Sequence, residues 1–202
     1  VMKAVGFPFD QGRLDDSDHP FTEGVAGDIR VTTRFDANNP FNGLLGALHE
    51  TGHAMYDLGI PASWRDQPVG LDRGMALEES QSLLLEMMIG RNLAFVRYLQ
   101  PLLQKHFAVS GPEWEFAALY ARLTRVQRGL VRVDADEMSY SLHIMQRYDI
   151  EKQLLSGKLA VRDLEASWNS GMEQRFGQRP AGVADGCLQD VHWALGSFGY
   201  YP

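Results

Sequence analysis

Apolar and polar positions along this chain follow two rhythms, a short alternation near the start and a longer, repeated helical period after it. In Asp28-Ile29-Arg30-Val31-Thr32-Thr33-Arg34-Phe35, polar and apolar side chains alternate and β-branched residues are frequent, as in a half-buried strand. Residues 6–27 are dense in Gly, Pro and Asp, so a small β-hairpin or sheet is expected at this end. Phe41, Leu44, Leu45, Leu48 and Met55 then predict a helix to about Leu58, with an Asn38-Asn39 cap, Pro40 in the first turn, and Gly59 and Pro61 ending it. A longer helical pattern runs from about Gly74 to Phe107, with Leu77, Leu84, Met88, Leu93 and Val96 as its core stripe and a kink near Pro101.

Ser110-Gly111-Pro112-Glu113 opens a further helix to about Leu130, and Asp134 reads as the cap of one reaching about Leu155. Leu164, Trp168, Met172 and Phe176 mark a last helix ended by Gly177. The expected fold class is mainly α, with a small N-terminal β-hairpin or sheet. No repeat, low-complexity tract or linker divides the chain, so residues 1–202 are read as a single domain.

Acidic residues number 26 against 19 basic ones, for a formal charge of −7, and the basic residues form no run that would track a phosphate backbone. Nucleic acid is therefore not an expected partner. No apolar run approaches the ~18 residues of a membrane span, and the opening segment lacks a signal-peptide layout. A lone cysteine, Cys187, forms no internal disulfide and suits a reducing, cytoplasmic setting. The chain opens on Val1 rather than Met, so it reads as part of something longer.

The candidate chemistry lies inside the first predicted helix. His49-Glu50-Thr51-Gly52-His53 is an HExxH sequence, and on a helix its histidines sit one turn apart on one face. Two imidazoles can then converge on one ion at ~2.0–2.1 Å. Glu50 is rotated by about 100° from His49, so it flanks the metal, where a general base belongs. Zinc bound there brings the pKa of water down toward ~7, and Glu50 takes that proton and passes it to the leaving amine.

A catalytic zinc takes three protein ligands and one open position. No histidine occurs between His53 and His106, whereas Glu78 and Glu79 lie on the next predicted helix. Neighbouring helical residues point about 100° apart, and spacing alone does not choose between the two glutamates. Two histidines and a carboxylate favour zinc, with cobalt or manganese able to occupy the same ligands.

Five blocks of this sequence resemble the carboxypeptidase Taq family of metallocarboxypeptidases. They are His19-Pro20-Phe21-Thr22, residues 28–34, His49–His53, Glu79-Ser80-Gln81-Ser82, and Val131-Arg132-Val133-Asp134-Ala135-Asp136-Glu137. The tail from Gln189-Asp190-Val191-His192-Trp193 to Gly199-Tyr200-Tyr201-Pro202 is also similar. The resemblance implies an HExxH zincin-like helical domain, with Glu79 as third metal ligand beside His49 and His53. It also implies release of single residues from peptide C-termini with broad specificity, and a homodimer in the full-length family. Family members are roughly twice as long, with further helices before the His-Pro-Phe block. Glu78 departs from the pattern, since a histidine usually stands there.

A carboxypeptidase holds a free α-carboxylate, for which an arginine fork is the natural partner; Arg132 is the leading candidate and Arg30 the other. His143 and Tyr200 are candidate oxyanion donors, with Tyr140 behind them. Asp57, four residues after His53, is a candidate acceptor for that imidazole. His19 and His192 are expected to fix loops, His106 belongs to no motif, and Cys187 is expected to be a small buried residue. A metallo-endopeptidase on the same scaffold, or an inactive zinc-binding module, are the competing readings.

Overall fold

The computed structural model describes residues 1–25, 27–37 and 39–201. Asn38, half of the expected cap, and Pro202, at the end of the family-like tail, therefore lie outside the described residues. The chain divides into two units, residues 1–123 and residues 124–202. The fold is mainly helical with one small sheet, as expected.

In the first unit, strands β1 (Gly12–Asp16), β2 (Phe21–Val25) and β3 (Asp28–Thr33) form a sheet in the order β1-β3-β2. β3 is central, pairing parallel with β1 and antiparallel with β2. Its alternation has the expected consequence: Ile29 and Val31 are buried and enter an apolar cluster with Met2, Phe7, Ala47 and Ala54. Ala47 and Ala54 belong to α1 (Pro40–Leu58), so the sheet packs against the helix that carries HExxH. Asn39 occupies the cap position with Pro40 behind it, but its side chain makes no capping hydrogen bond.

The pattern read as one helix over residues 74–107 is two. α2 (Met75–Leu83) passes directly into a π-helical turn, Leu84–Ile89, and α3 (Leu93–Phe107) starts after a break at residues 90–92. The Gly90 N–H bonds the Leu85 carbonyl at 2.8 Å, the i→i−5 spacing of a π turn. Asn92 caps α3 by accepting the Ala94 N–H at 2.9 Å, and Pro101 lies inside α3. The break thus falls at Gly90 and the Asn92 cap, not at the proline. Of the predicted stripe only Val96 is buried; Leu77, Leu84, Met88 and Leu93 are exposed. The helix expected to run to Leu130 is shorter: α4 (Phe116–Leu123) follows a 3₁₀ turn at Pro112–Trp114. Phe41 joins α3 and α4 in a second apolar cluster with Val96, Leu99, Leu103, Leu119 and Leu123.

In the second unit, α5 (Tyr140–Leu155) and α6 (Leu164–Phe176) pack around Ile150, Trp168, Met172 and Phe176. α6 ends at Gly177 in the left-handed conformation (φ 68°), as expected for a glycine stop. The cap expected from Asp134 is not formed: Asp134 lies in a 3₁₀ turn, the N-cap position of α5 is Ser139 without a side-chain capping bond, and Asp136 Oδ1 accepts the N–H groups of Met138 and Ser139 at 2.9 Å in the turn before the helix. Among the described residues no helix is long and apolar enough to cross a membrane.

Candidate metal centre

α1 places His49 and His53 one turn apart, with ring centroids 5.0 Å from each other. α2 lies across α1 at the level of Gly52, where an added Cβ would collide with the Gln81 carbonyl oxygen and the Ser82 Cα. The absent side chain at this motif position lets α2 approach closely enough for Glu79 to reach both histidines. Glu79 Oε2 lies 3.7 Å from His49 Nε2 and 3.4 Å from His53 Nε2. Ligand atoms held tetrahedrally at ~2.0–2.1 Å from zinc are about 3.3–3.4 Å apart, so this spacing fits a four-coordinate ion with one position left over. Ligand atoms of His49, His53 and Glu79 all lie within 4.8 Å of one another. Glu78, the alternative that spacing alone left open, is directed elsewhere: its Oε1 stands 3.5 Å from His53 Nδ1.

Glu50 is buried, and the Thr22 hydroxyl on β2 lies 2.8 Å from both its Oε2 and its backbone carbonyl oxygen. Burial raises the Glu50 pKa above the ordinary carboxylate value, against the opposing pull of His49 and the Thr22 hydrogen bond. Both histidines shift upward. Burial opposes a charge on His53, but Glu78, Glu79 and Glu50 outweigh it and hold its pKa up at about 10. Burial likewise opposes charge on His49, and Glu86, Glu79 and Glu50 prevail. The pocket is electrostatically built for positive charge at the ring nitrogens.

Arg30 is on β3 with an exposed side chain, forked onto Asp28 through Nε (3.2 Å) and Nη2 (2.9 Å). Arg132, Arg147 and Asp190 form a buried charged cluster in the second unit. Arg132 gives Nε and Nη2 to Asp190 Oδ1 at 3.1 and 3.0 Å and Nη1 to the Tyr140 hydroxyl at 3.2 Å. Arg147 bonds the other oxygen of Asp190 and donates to Gln189 Oε1 and the His143 carbonyl. The His143 ring is fully buried against Phe176, with centroids 4.4 Å apart. Burial, with help from the Arg147 charge, lowers its pKa to about 4.

Tyr200 stacks on His192 at 3.9 Å, and the Tyr201 hydroxyl is 2.6 Å from His192 Nδ1. Both contacts tie His192 to the last residues described. His19 Nδ1 lies 2.6 Å from the Pro20 carbonyl oxygen. Asp57 is half-buried, and the carboxylate facing His53 Nδ1 is that of Glu78. Sequence reasoning gave no role to Thr22, Glu86 or Arg147. Glu86 lies seven residues beyond Glu79, nearly two helical turns, and that spacing was the available signal for it.

A helix bearing two histidines and a neighbouring glutamate, with a second helix supplying a third ligand, defines the HExxH class of metallopeptidase centres. The profile of the family described as carboxypeptidase Taq (M32) metallopeptidase matches residues 1–202. Carboxypeptidase 1 of Bacillus subtilis (strain 168) is 38% identical over 202 residues, which is 100% of this chain and 40% of that protein. Thermostable carboxypeptidase 1 of Thermus thermophilus is also 38% identical, over 207 residues, again 100% of this chain and 40% of that protein. Among solved structures, metallocarboxypeptidase 1 of Trypanosoma cruzi superposes with a TM-score of 0.92 at 41% identity, covering 100% of this chain and 40% of that one. The chain belongs to the carboxypeptidase Taq (M32) metallopeptidase family. It spans about two-fifths of the length of these relatives.

Proposed function

We propose that this chain is the metal-binding catalytic part of a zinc-dependent carboxypeptidase that releases single residues from peptide C-termini with broad specificity. His49, His53 and Glu79 hold the ion, and Glu50 is the general base. The observation that carries this reading is the convergence of the three ligand atoms, all within 4.8 Å of one another and 3.4 and 3.7 Å from Glu79 to the two histidines, with the buried Glu50 alongside. Family membership supports it. A bound zinc supplies Lewis acidity, acidifying water and polarising the scissile carbonyl.

The chain's own residues supply the proton handling. Thr22 holds Glu50 Oε2 and so sets the plane of the carboxylate. Buried beside the site, the Glu50 carboxylate suits a group that takes a proton from attacking water and returns it to the departing amine. Arg132 and Arg30 are the proposed partners of the substrate's α-carboxylate; in the free protein they are ion-paired with Asp190 and Asp28. His143 and Tyr200 are the proposed donors to the developing oxyanion.

The test combines elemental analysis of the purified chain and of His53→Ala with mass spectrometry of peptide digests. About one zinc per chain, lost in the variant, with stepwise trimming of free but not amidated C-termini, is the expected result. Equal cleavage of blocked and free ends identifies an endopeptidase instead, and zinc binding with no trimming by any variant identifies an inert module.

A further inference from the structure

A histidine ligates metal through one ring nitrogen, and what the other nitrogen bonds decides which tautomer is available. His49 Nδ1 lies 2.9 Å from Glu86 Oε2, while Nε2 is the atom near Glu79. A carboxylate only accepts hydrogen bonds, so Nδ1 keeps the proton and Nε2 presents its lone pair. Glu86 is itself held: Arg91 Nη2 donates to its Oε1 at 3.2 Å, and Arg91 Nη1 donates to the carbonyl of Leu123, the last residue of α4, also at 3.2 Å. The His49, Glu86 and Arg91 side chains are all largely shielded from solvent. Glu86 lies in the π turn at Leu84–Ile89, a local irregularity of the kind found at functional sites.

We propose that Glu86, backed by Arg91, is a positioning residue of the metal centre, fixing His49 in its Nδ1–H tautomer and setting the angle at which Nε2 meets the ion. This rests on the reading of His49, His53 and Glu79 as ligands. The two histidines are not held alike. His53 Nδ1 faces Glu78 at 3.5 Å without hydrogen-bond geometry, whereas His49 has a direct bond to a braced carboxylate.

The test uses two readouts on wild type, Glu86→Ala, Glu86→Asp and Glu86→Gln. One is zinc affinity by competition with a chromophoric chelator. The other is the tautomer of His49 from ring ¹⁵N shifts in the metal-free protein, in alkaline solution where the ring is neutral. Glu86→Ala is expected to weaken zinc binding by about ten- to a hundredfold and to shift His49 toward the Nε2–H form. Glu86→Gln, whose amide oxygen still accepts from Nδ1–H, recovers most of both. If Glu86→Ala does not fold, Glu86→Asp, one methylene short of His49, carries the same two measurements. Variants that lose thermal stability while keeping the wild-type affinity and tautomer overturn the proposal, as does an Nε2–H tautomer in wild type. Should wild type bind no zinc, the ligand assignment itself fails, whereas wild-type zinc binding that Glu86→Ala leaves unchanged overturns the role of Glu86 alone.

Discussion

Each unit of this chain buries charged side chains, and the two do so in opposite ways. In the second unit Asp190 lies between Arg132 and Arg147 with both oxygens engaged, and Gln189 and Tyr140 take further guanidinium donors. That cluster satisfies itself. In the first unit His49, His53 and Glu79 point their ligand atoms at one another, and carboxylates outnumber cations around them. A buried polar group left without a partner costs free energy, so a cluster that closes its own bonds stabilises a fold, while one that converges on a common point stabilises a guest. Burial alone does not separate the two kinds; the direction of the lone pairs does.

Four substitutions or conditions test that contrast, the largest effect first. Replacing Glu50 with Gln keeps shape and burial but removes the carboxylate proposed as the base. Peptide hydrolysis should fall by about 10²–10⁴-fold with zinc content unchanged, and an active variant would remove Glu50 from the chemistry. Asp190→Ala leaves two buried guanidinium groups without their shared carboxylate. Denaturant unfolding should register a loss of about 3–5 kcal/mol, and a loss near zero would mean the cluster is no brace.

Acidification comes next. His143 has a folded pKa of about 4 against an ordinary 6.5, so its neutral form is the one the fold accepts. Stability is therefore fully present above pH ~6.5, falls as pH drops from there toward 4, and the total swing is about 3 kcal/mol. Asp190, held below the ordinary carboxylate range chiefly by Arg132 and Arg147 against burial, adds a loss of the same sign at lower pH. Unfolding curves of wild type and His143→Phe across this range isolate the histidine, since the variant should lose the upper part of the slope. The smallest effect is expected at Gly52→Ala, where a single methyl meets α2 backbone. A cost of about 1–3 kcal/mol, with weaker zinc binding as Glu79 is pushed away, is the outcome to look for.

How much of this was legible beforehand depended on how local the cause is. The HExxH helix, the β3 alternation and the Gly177 stop are set by spacing and by single residues, and each stands where the sequence placed it. β1 escaped notice because its residues, Gly12-Arg13-Leu14-Asp15-Asp16, carry no strand signal and are recruited by pairing with β3. The buried face of α5 contains Tyr140, His143, Gln146, Arg147, Ile150 and Glu151, a stripe with helical spacing and mostly polar chemistry, which a search for apolar periodicity passes over. Leu77, Leu84 and Met88 show the converse, apolar residues at helical spacing that are exposed. At the metal centre, the preference of Glu79 over Glu78 for the two Nε2 atoms depends on helix packing at Gly52, which sequence spacing does not encode.

The π turn at Leu84–Ile89 also bears on which changes of chain length this region tolerates. A π turn is an α-helix carrying a residue more than its hydrogen bonds require, so deleting one residue would relax it into ordinary helix without breaking the rod. Yet a deletion between Glu79 and Glu86 would swing Glu86 about 100° around the axis, away from His49. In this stretch, substitutions on the exposed face are cheap, whereas the count of residues from Glu79 to Glu86 is fixed.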